Sequence, residues 1–138
     1  MLYAGSTFEV ALLETMYHHA RFMTQTNEPA GWTSQFRELA LDIAGAFHDL
    51  RGQDPAYAEA LNPNDYGASQ ALGAQLHASG ANGIVYPSCR YPDGECAGLF
   101  YPDLAAHPVQ GRHLDYHWDG ERVDLYRVAG SGEVYRVL

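Results

Sequence analysis

The sequence predicts an α+β domain, in which helices and antiparallel strands occupy separate stretches of the chain. Apolar residues at helical spacing near the amino terminus and again near the middle predict two helices. A β-favouring run before Pro87 and a second run after Gly94 predict a hairpin over residues 83–100. Alternating residues between turns in the last quarter predict a meander of short antiparallel strands.

The length and composition are typical of one globular domain. The chain has 138 residues, of which 46% are hydrophobic, and can bury most of its apolar surface. The net charge of −9 argues against a surface for duplex nucleic acid, which needs clustered lysine and arginine. We expect no signal peptide, and no apolar run reaches the ~18 residues of a membrane span. These properties predict a cytoplasmic protein that binds neither nucleic acid directly nor a membrane.

The two cysteines, Cys89 and Cys96, allow either a hairpin disulfide or two thiols. A chain of this length does not need a disulfide, and the predicted compartment is reducing, so we expect reduced thiols. No cluster of cysteine and histidine has the spacing of a zinc site.

The first part of the chain is predicted as a strand and a helix. Residues 1–4 are apolar and predict a strand. Ser6 followed by Glu9 is typical of a capping box, so we expect a helix that begins at Thr7 and fades near Thr24. The predicted buried stripe of this helix comprises Phe8, Ala11, Leu12, Met16 and Ala20.

The middle of the chain is less clear-cut. Residues 32–50 fit either a helix or strands, and we favour strands with a break near Gly45. Residues 51–53 are predicted as a turn, and Asp54 with Pro55 predicts the start of a short helix.

A second long helix is predicted from Tyr66 to Ser79. Leu72 and Leu76 are one turn apart and are expected on its buried face. Gly80 is expected to provide a left-handed cap at the carboxyl end.

After this helix the chain is predicted to be mostly β. The hairpin of residues 83–100 has its return strand at residues 96–100 and a turn at residues 91–94. Residues 102–112 are predicted to be irregular. Three further strands are expected at residues 113–118, 122–128 and 134–138, separated by turns at residues 119–120 and 130–132.

The end of the strand before Pro87 is the first candidate site. Pro87 has no N–H for strand pairing, so Ser88 and Arg90 should lie at the rim of a sheet, within reach of a ligand. Ser88 lacks the G-x-S-x-G pattern of a nucleophilic serine, so hydrogen bonding to a ligand is favoured over covalent catalysis. For Arg90, a phosphate-binding role and a surface ion pair both remain open.

Two further residues have alternative interpretations. Glu14 lies in an apolar stretch, where its carboxylate either faces solvent or is held at the edge of a site. His18 shares its helix face, but no third ligand is evident and we expect no metal. Tyr3 is either a stacking platform for a planar ligand or a core residue.

In combination, several segments resemble the RES domain, the toxin half of RES–Xre toxin–antitoxin pairs. The resemblance is carried by Tyr3-Ala4-Gly5-Ser6, Glu14-Thr15-x-x-His18, Asp65 to Gly73, Gly83-Ile84-Val85-Tyr86-Pro87-Ser88-Cys89-Arg90, Gly94 to Phe100 and His113 to Gly120. It covers nearly the whole chain, and the block around Ser88 is its most specific part.

The resemblance implies an ADP-ribosyltransferase-like fold with bent, mostly antiparallel sheets and flanking helices around an NAD cleft. It implies consumption of NAD by phosphorolysis, hydrolysis or transfer of ADP-ribose to a protein target. Tyr3, Glu14 and Ser88 match family residues of the active site and are expected to converge, and Tyr3, Ser88 and Arg90 are expected to bind NAD. An Xre-family antitoxin is the implied partner, which blocks the cleft.

The resemblance also implies a family arginine upstream of the Tyr3 strand, and nothing precedes Met1 here. We therefore expect residues 1–138 to be a single RES domain that lacks the amino-terminal segment of the family. Two functions follow: an NAD-consuming toxin enzyme, or a catalytically inactive domain that acts as an antitoxin-binding module.

Overall fold

A computed structural model describes residues 1–52 and 54–137 and has the α+β architecture that the sequence predicts. The chain divides into two compact units, which consist of residues 1–11 with 42–106 and of residues 12–41 with 107–138. Each unit contains one four-stranded sheet. None of the helices in the described part of the chain is long and apolar enough to cross a membrane.

Eight strands and two α-helices make up the regular structure of the described residues. In chain order they are β1 (Leu2–Gly5), α1 (Phe8–Met23), β2 (Thr33–Ile43), β3 (His48–Asp49), α2 (Gly67–Ala78), β4 (Gly83–Pro87), β5 (Glu95–Leu99), β6 (Ala105–Trp118), β7 (Val123–Val128) and β8 (Val134–Arg136). Short 3-10 helices occur at Pro55–Tyr57 and Pro102–Leu104.

The sheet of the first unit has the strand order β1-β5-β4-β3. β5 is antiparallel to both β1 and β4, whereas the two-residue β3 runs parallel to β4. The N–H of Leu50 extends this parallel contact by donating to the carbonyl oxygen of Val85 at 2.9 Å. Leu50 and Leu99 are buried in the core of this unit, with 2% and 0% of their surface exposed.

The sheet of the second unit has the strand order β2-β6-β7-β8. β6, β7 and β8 form an antiparallel meander, with a bulge at His117 and Trp118. The core of this unit combines residues of α1 with alternate residues of β6 and one of β7. Its buried members are Leu12, Met16, Met23, Leu114, Tyr116, Trp118 and Val123.

Several local predictions are confirmed. Residues 32–50 form the strands β2 and β3 with a break at residues 44–47, and residues 83–99 form the hairpin. The Asp54 carboxylate accepts from the N–H of Ala56 and caps the first 3-10 helix. Gly80 has a φ of 84° and ends α2 in the left-handed conformation. Gln53 of the predicted turn and Leu138 of the predicted last strand lie outside the described residues.

The predicted cap and buried stripe of α1 are partly wrong. Thr7 caps the helix, because its hydroxyl accepts from the N–H of Val10 at 3.3 Å. The Ser6 hydroxyl instead accepts from the N–H of Glu95 in β5, which is distant in sequence. The buried side of the helix also includes Val10 and Met23, whereas Phe8, Ala11 and Ala20 are only half-buried.

The predicted burial of α2 and the predicted irregular segment are also wrong. Leu72 and Leu76 are half-buried, and none of the residues 67–78, all of which the structure describes, is fully buried. Residues 105–112 belong to β6 rather than to a loop. This stretch contains Pro108, and residues 106–113 are all exposed, so no alternation of polar and apolar residues marks the strand.

Candidate active site

Ser88 closes the loop of the β4–β5 hairpin, directly after the last residue of β4. Its N–H donates to the carbonyl oxygen of Gly94 at 2.8 Å. Its hydroxyl oxygen accepts from the N–H groups of Arg90 at 3.2 Å and of Tyr91 at 3.3 Å. Serine hydroxyls commonly fix turns in this way. These contacts hold the half-buried Ser88 side chain in place at the rim of the first sheet.

The amino-terminal end of α1 lies at the same rim. The N–H of Ser6 donates to the carbonyl oxygen of Glu95 at 2.9 Å, beside the position of Gly94. A Cβ atom on Gly94 would lie 2.6 Å from Cγ2 of Val10, so the first turn of α1 packs directly on the loop that Ser88 closes. The end of β4 and the start of α1 therefore meet at one rim of the first sheet.

Tyr3 lies on β1 opposite Gly98 of β5, which in turn lies opposite Ile84 of β4. Residues paired in this way share one face of a sheet. A Cβ atom on Gly98 would lie 2.6 Å from Cε of Met1 and 3.5 Å from both Cε1 of Tyr3 and Cγ1 of Ile84, so these three side chains pack over the glycine. The Tyr3 ring is 64% exposed, which rules out the core alternative and leaves the ring accessible to a planar ligand.

Arg90 and the two cysteines differ in exposure. Arg90 is half-buried, and its Nε atom is shielded from solvent. A guanidinium that is partly withdrawn from water attracts an anion more strongly than a fully hydrated one. Cys89 is an exposed thiol, and Cys96 on β5 is a buried thiol.

An ion-pair network that the sequence analysis missed joins β3, β5 and the residues after β3. Arg51 donates through Nε and NH2 to the two carboxylate oxygens of Asp49, both at 2.9 Å, and through NH1 to Oε2 of Glu95 at 2.9 Å. The hydrogen bond from Arg51 lowers the pKa of Asp49 to about 2. The same bond raises the pKa of Arg51 above its usual value. Sequence offers no signal for the pairing with Glu95, because the order of the strands creates it.

Glu14 lies on α1 in the second unit and is not the freely solvated carboxylate that the sequence left open. Its side chain is only 20% exposed, whereas that of His18 one turn later is 58% exposed. The Nε2 atom of His18 lies 3.9 Å from Oε2 of Glu14, a pair that is ionic only when the imidazole is protonated. Within residues 1–52 and 54–137, no group of three His, Cys, Asp or Glu side chains could hold a metal ion.

The turn of α1 that carries Glu14 is hydrogen-bonded to the second sheet. The Thr15 hydroxyl lies 2.8 Å from the Tyr116 hydroxyl, and His19 Nε2 lies 2.8 Å from the Ser34 hydroxyl. Burial lowers the pKa of His19, which keeps the imidazole neutral at physiological pH. Thr15 and His19 are four residues apart and share one helix face, which is the only sequence signal for this contact.

Cavities also occur elsewhere among the described residues of the units. One of about 390 Å³ lies between α2 and the first 3-10 helix, where Tyr57, Leu72 and Gln75 line it. Another, of about 200 Å³, lies on the second sheet beside Asp115, His117 and Arg127. Tyr3, Glu14, Ser88 and Arg90 line neither cavity. Both cavities are open to solvent rather than enclosed.

The family model described as the RES domain matches residues 1–119. The chain belongs to the RES domain family. The matched part contains Tyr3, Glu14, Ser88 and Arg90 and ends before β7. A comparison with curated proteins finds no match.

Membership of the family confirms the resemblance that the sequence motifs indicate. RES domains are associated with toxin–antitoxin systems and with the binding or consumption of NAD, and they are generally paired with an Xre-type antitoxin. The RES domain described here is accordingly an NAD-related, enzyme-like domain. The convergence of Tyr3, Glu14 and Ser88 stays a prediction, because Glu14 belongs to a different unit from the other two.

Proposed function

We propose that this RES domain is the toxin component of a toxin–antitoxin system and that it consumes NAD. The reaction cleaves the bond between nicotinamide and ribose and transfers ADP-ribose to a protein, phosphate or water. The family match over residues 1–119, which contains every predicted site residue, is the observation that carries the proposal. We further propose that residues 1–138 act as a single RES domain and that loss of cytoplasmic NAD, or modification of a target protein, stops growth.

The proposed role of Glu14 is electrostatic. As the bond from the ribose carbon to the nicotinamide nitrogen breaks, its electron pair leaves with neutral nicotinamide, and positive charge develops on the ribose. A carboxylate near the ribose stabilises this oxocarbenium-like transition state. The shielding of Glu14 supports this role, because a charge that is four-fifths withdrawn from water interacts more strongly with a nearby cation than a solvated charge does.

The proposed roles of Tyr3, Ser88 and Arg90 concern binding. The exposed Tyr3 ring stacks on the flat nicotinamide. Ser88 hydrogen-bonds the nicotinamide amide or a ribose hydroxyl from its fixed position after β4. Arg90 contributes a partly shielded guanidinium to the pyrophosphate. An Xre-type antitoxin would inhibit the toxin by covering these groups.

Incubation of the purified chain with NAD, followed by chromatography of released nicotinamide, tests the proposal. Parallel reactions with and without phosphate, analysed by mass spectrometry, identify the acceptor as phosphate, water or protein. Release of nicotinamide at a rate proportional to the protein concentration is expected. A chain that releases none, but binds a cognate Xre-type protein, would instead be an antitoxin-binding module.

A further inference from the structure

We propose that Tyr116 is a positioning residue for Glu14: its hydroxyl fixes the turn of α1 that carries the catalytic carboxylate. The inference rests on the proposed function, because it assumes that Glu14 acts on NAD. It assigns a role to a side chain on β6 for which the sequence motifs suggested none.

A second contact of the Thr15 hydroxyl sets the direction of the hydrogen bond between α1 and β6. The Thr15 hydroxyl donates its hydrogen to the carbonyl oxygen of Leu12 at 3.0 Å. A threonine hydroxyl has one hydrogen, so in the contact of 2.8 Å with Tyr116 the threonine oxygen accepts and the tyrosine donates. Burial raises the pKa of Tyr116, so the phenol keeps this hydrogen throughout the physiological range of pH.

Tyr116 is itself held in place by aromatic packing. Its side chain is 2% exposed and stacks on Phe36 of β2, with ring centroids 4.2 Å apart and an angle of 20° between the planes. Tyr126 of β7 lies opposite Tyr116 and stacks in turn on Tyr135 of β8. Each of the four strands therefore contributes one aromatic residue to a row across the sheet. This row fixes the ring of Tyr116 and with it the position of the Tyr116 hydroxyl.

The hydrogen bond between Thr15 and Tyr116 positions Glu14. Glu14 directly precedes Thr15, so fixing Thr15 fixes both the rotation of the helix and the position of Glu14 along its axis. Leu12 and Met16, two residues before and after Glu14 on α1, are buried and apolar, and apolar packing is non-directional. The hydrogen bond of Thr15 to Tyr116 is directional and lies next to Glu14. A misplacement of about 1 Å in a catalytic group costs up to about 10²-fold in rate.

The test compares NAD turnover in matched variants. Tyr116→Phe keeps the ring stack and removes the donor, and Thr15→Val keeps the shape and removes the acceptor. Each is expected to lower kcat about 10-fold to 10²-fold with KM changed less than about twofold. Thr15→Ser keeps the hydroxyl and should stay within about threefold of the parent. Ser34→Ala removes the comparable bond to His19, one turn further along α1, and serves as the control with kcat within about threefold.

Combining variants separates positioning from general damage to the fold. The double variant Thr15→Val with Tyr116→Phe should be no slower than either single variant, because both remove the same bond. In the Glu14→Gln background, Tyr116→Phe should have no further effect on the residual rate. Thermal melting verifies that each protein is folded at the assay temperature. If Tyr116→Phe does not fold, comparing kcat in Thr15→Val and Thr15→Ser decides whether the hydrogen bond positions Glu14.

Three results would overturn the inference. If Glu14→Gln abolishes turnover but Tyr116→Phe and Thr15→Val stay within about threefold of the parent, positioning by Tyr116 is wrong and the proposed function stands. If Thr15→Ser loses as much rate as Thr15→Val, packing rather than the hydrogen bond matters. If the parent releases no nicotinamide, or Glu14→Gln keeps the parent rate, the catalytic role of Glu14 fails and the inference fails with it.

Discussion

Gly83 on β4 lies so close to Gly98 on β5 that a Cβ atom at Gly83 would be 2.1 Å from the Gly98 carbonyl oxygen. The backbone of two paired strands sets both the Cβ position at residue 83 and the Gly98 carbonyl oxygen. Neither can therefore rotate away as a flexible side chain could. Leu99, which follows Gly98, is completely buried in the core, so β5 cannot move away from β4 without disturbing that packing. Glycine is therefore required at position 83 for the first sheet to form as it does.

Gly83→Ala is expected to lower the free energy of unfolding by at least about 1–3 kcal/mol, because the added methyl group forces the strands apart. Gly73→Ala provides a matched control, since Gly73 lies within α2 and its added Cβ atom would meet nothing within 4 Å. The control should gain about 0.5–1 kcal/mol from the better helix propensity of alanine. Urea unfolding of the two variants measures both values, and equal stabilities would refute the strand contact.

Glu14→Gln is expected to slow NAD turnover about 10²–10³-fold, because glutamine keeps the size of the side chain but removes the charge that stabilises the ribose cation. Glu9→Gln is the matched control, since Glu9 is an exposed carboxylate in the first turn of the same helix. It should leave the rate unchanged and alter stability by about 0.3–1 kcal/mol at most. The assay is nicotinamide release, with melting curves to compare the folds. A Glu14→Gln protein that melts like the parent and retains its rate would show that Glu14 is not catalytic.

Ser88→Ala is expected to destabilise the β4–β5 hairpin by about 0.5–1.5 kcal/mol per lost hydrogen bond, since the N–H groups of Arg90 and Tyr91 lose their acceptor. Ser88→Thr keeps the hydroxyl and should retain most of the stability. Thermal unfolding compares the two. Identical melting temperatures for all three proteins would mean that the Ser88 hydroxyl does not hold the loop, which would leave ligand binding as its only role.

Removal of the Arg51 side chain is expected to raise the pKa of Asp49 from about 2 towards its ordinary value of 3.8. The largest cause of the shift is the hydrogen bonding of the Arg51 side chain, which Arg51→Gln removes, and the next is the backbone N–H of residue 51, which the variant keeps, so the shift should shrink rather than vanish. Because the folded-state pKa is depressed, this pair stabilises the fold above about pH 4 and loses its contribution as the pH falls towards 2. Carboxyl NMR titration of both proteins measures the change. An unchanged Asp49 titration in the variant would contradict the network.

The two thiols are expected to react at different rates. Cys89 is exposed and should react with a thiol reagent in the native protein, whereas Cys96 is 5% exposed and should react only after unfolding. Titration should therefore count one thiol per chain before denaturation and two after it. A denatured count of zero without a reducing agent, together with a monomeric mass, would reveal a disulfide and contradict the reducing compartment.

The sequence predicted most of the local structure correctly where a few neighbouring residues decide it. Asp54 with Pro55 caps a short helix, and Gly80 ends α2, because both signals act within one turn of the chain. The cap of α1 was assigned to the wrong residue because Ser6 and Thr7 are equally suitable locally. The N–H of Glu95, on a strand that is distant in sequence, donates to the Ser6 hydroxyl, and Thr7 caps the helix instead.

By itself, the sequence determined the α+β class, the meander at the carboxyl end and the family, because periodicity, turn chemistry and motifs are properties of short segments. Only the tertiary structure decided which side chains are accessible. In the structure the Tyr3 side chain is exposed, although one interpretation of the sequence placed it in the core. The Glu14 side chain is largely shielded, although one interpretation of the sequence placed it in solvent. The tertiary structure also joined Arg51 to Glu95 and Thr15 to Tyr116. Such pairs depend on strand order and on the packing of α1 against its sheet, which bring together residues that are 44 and 101 positions apart and that no local pattern relates.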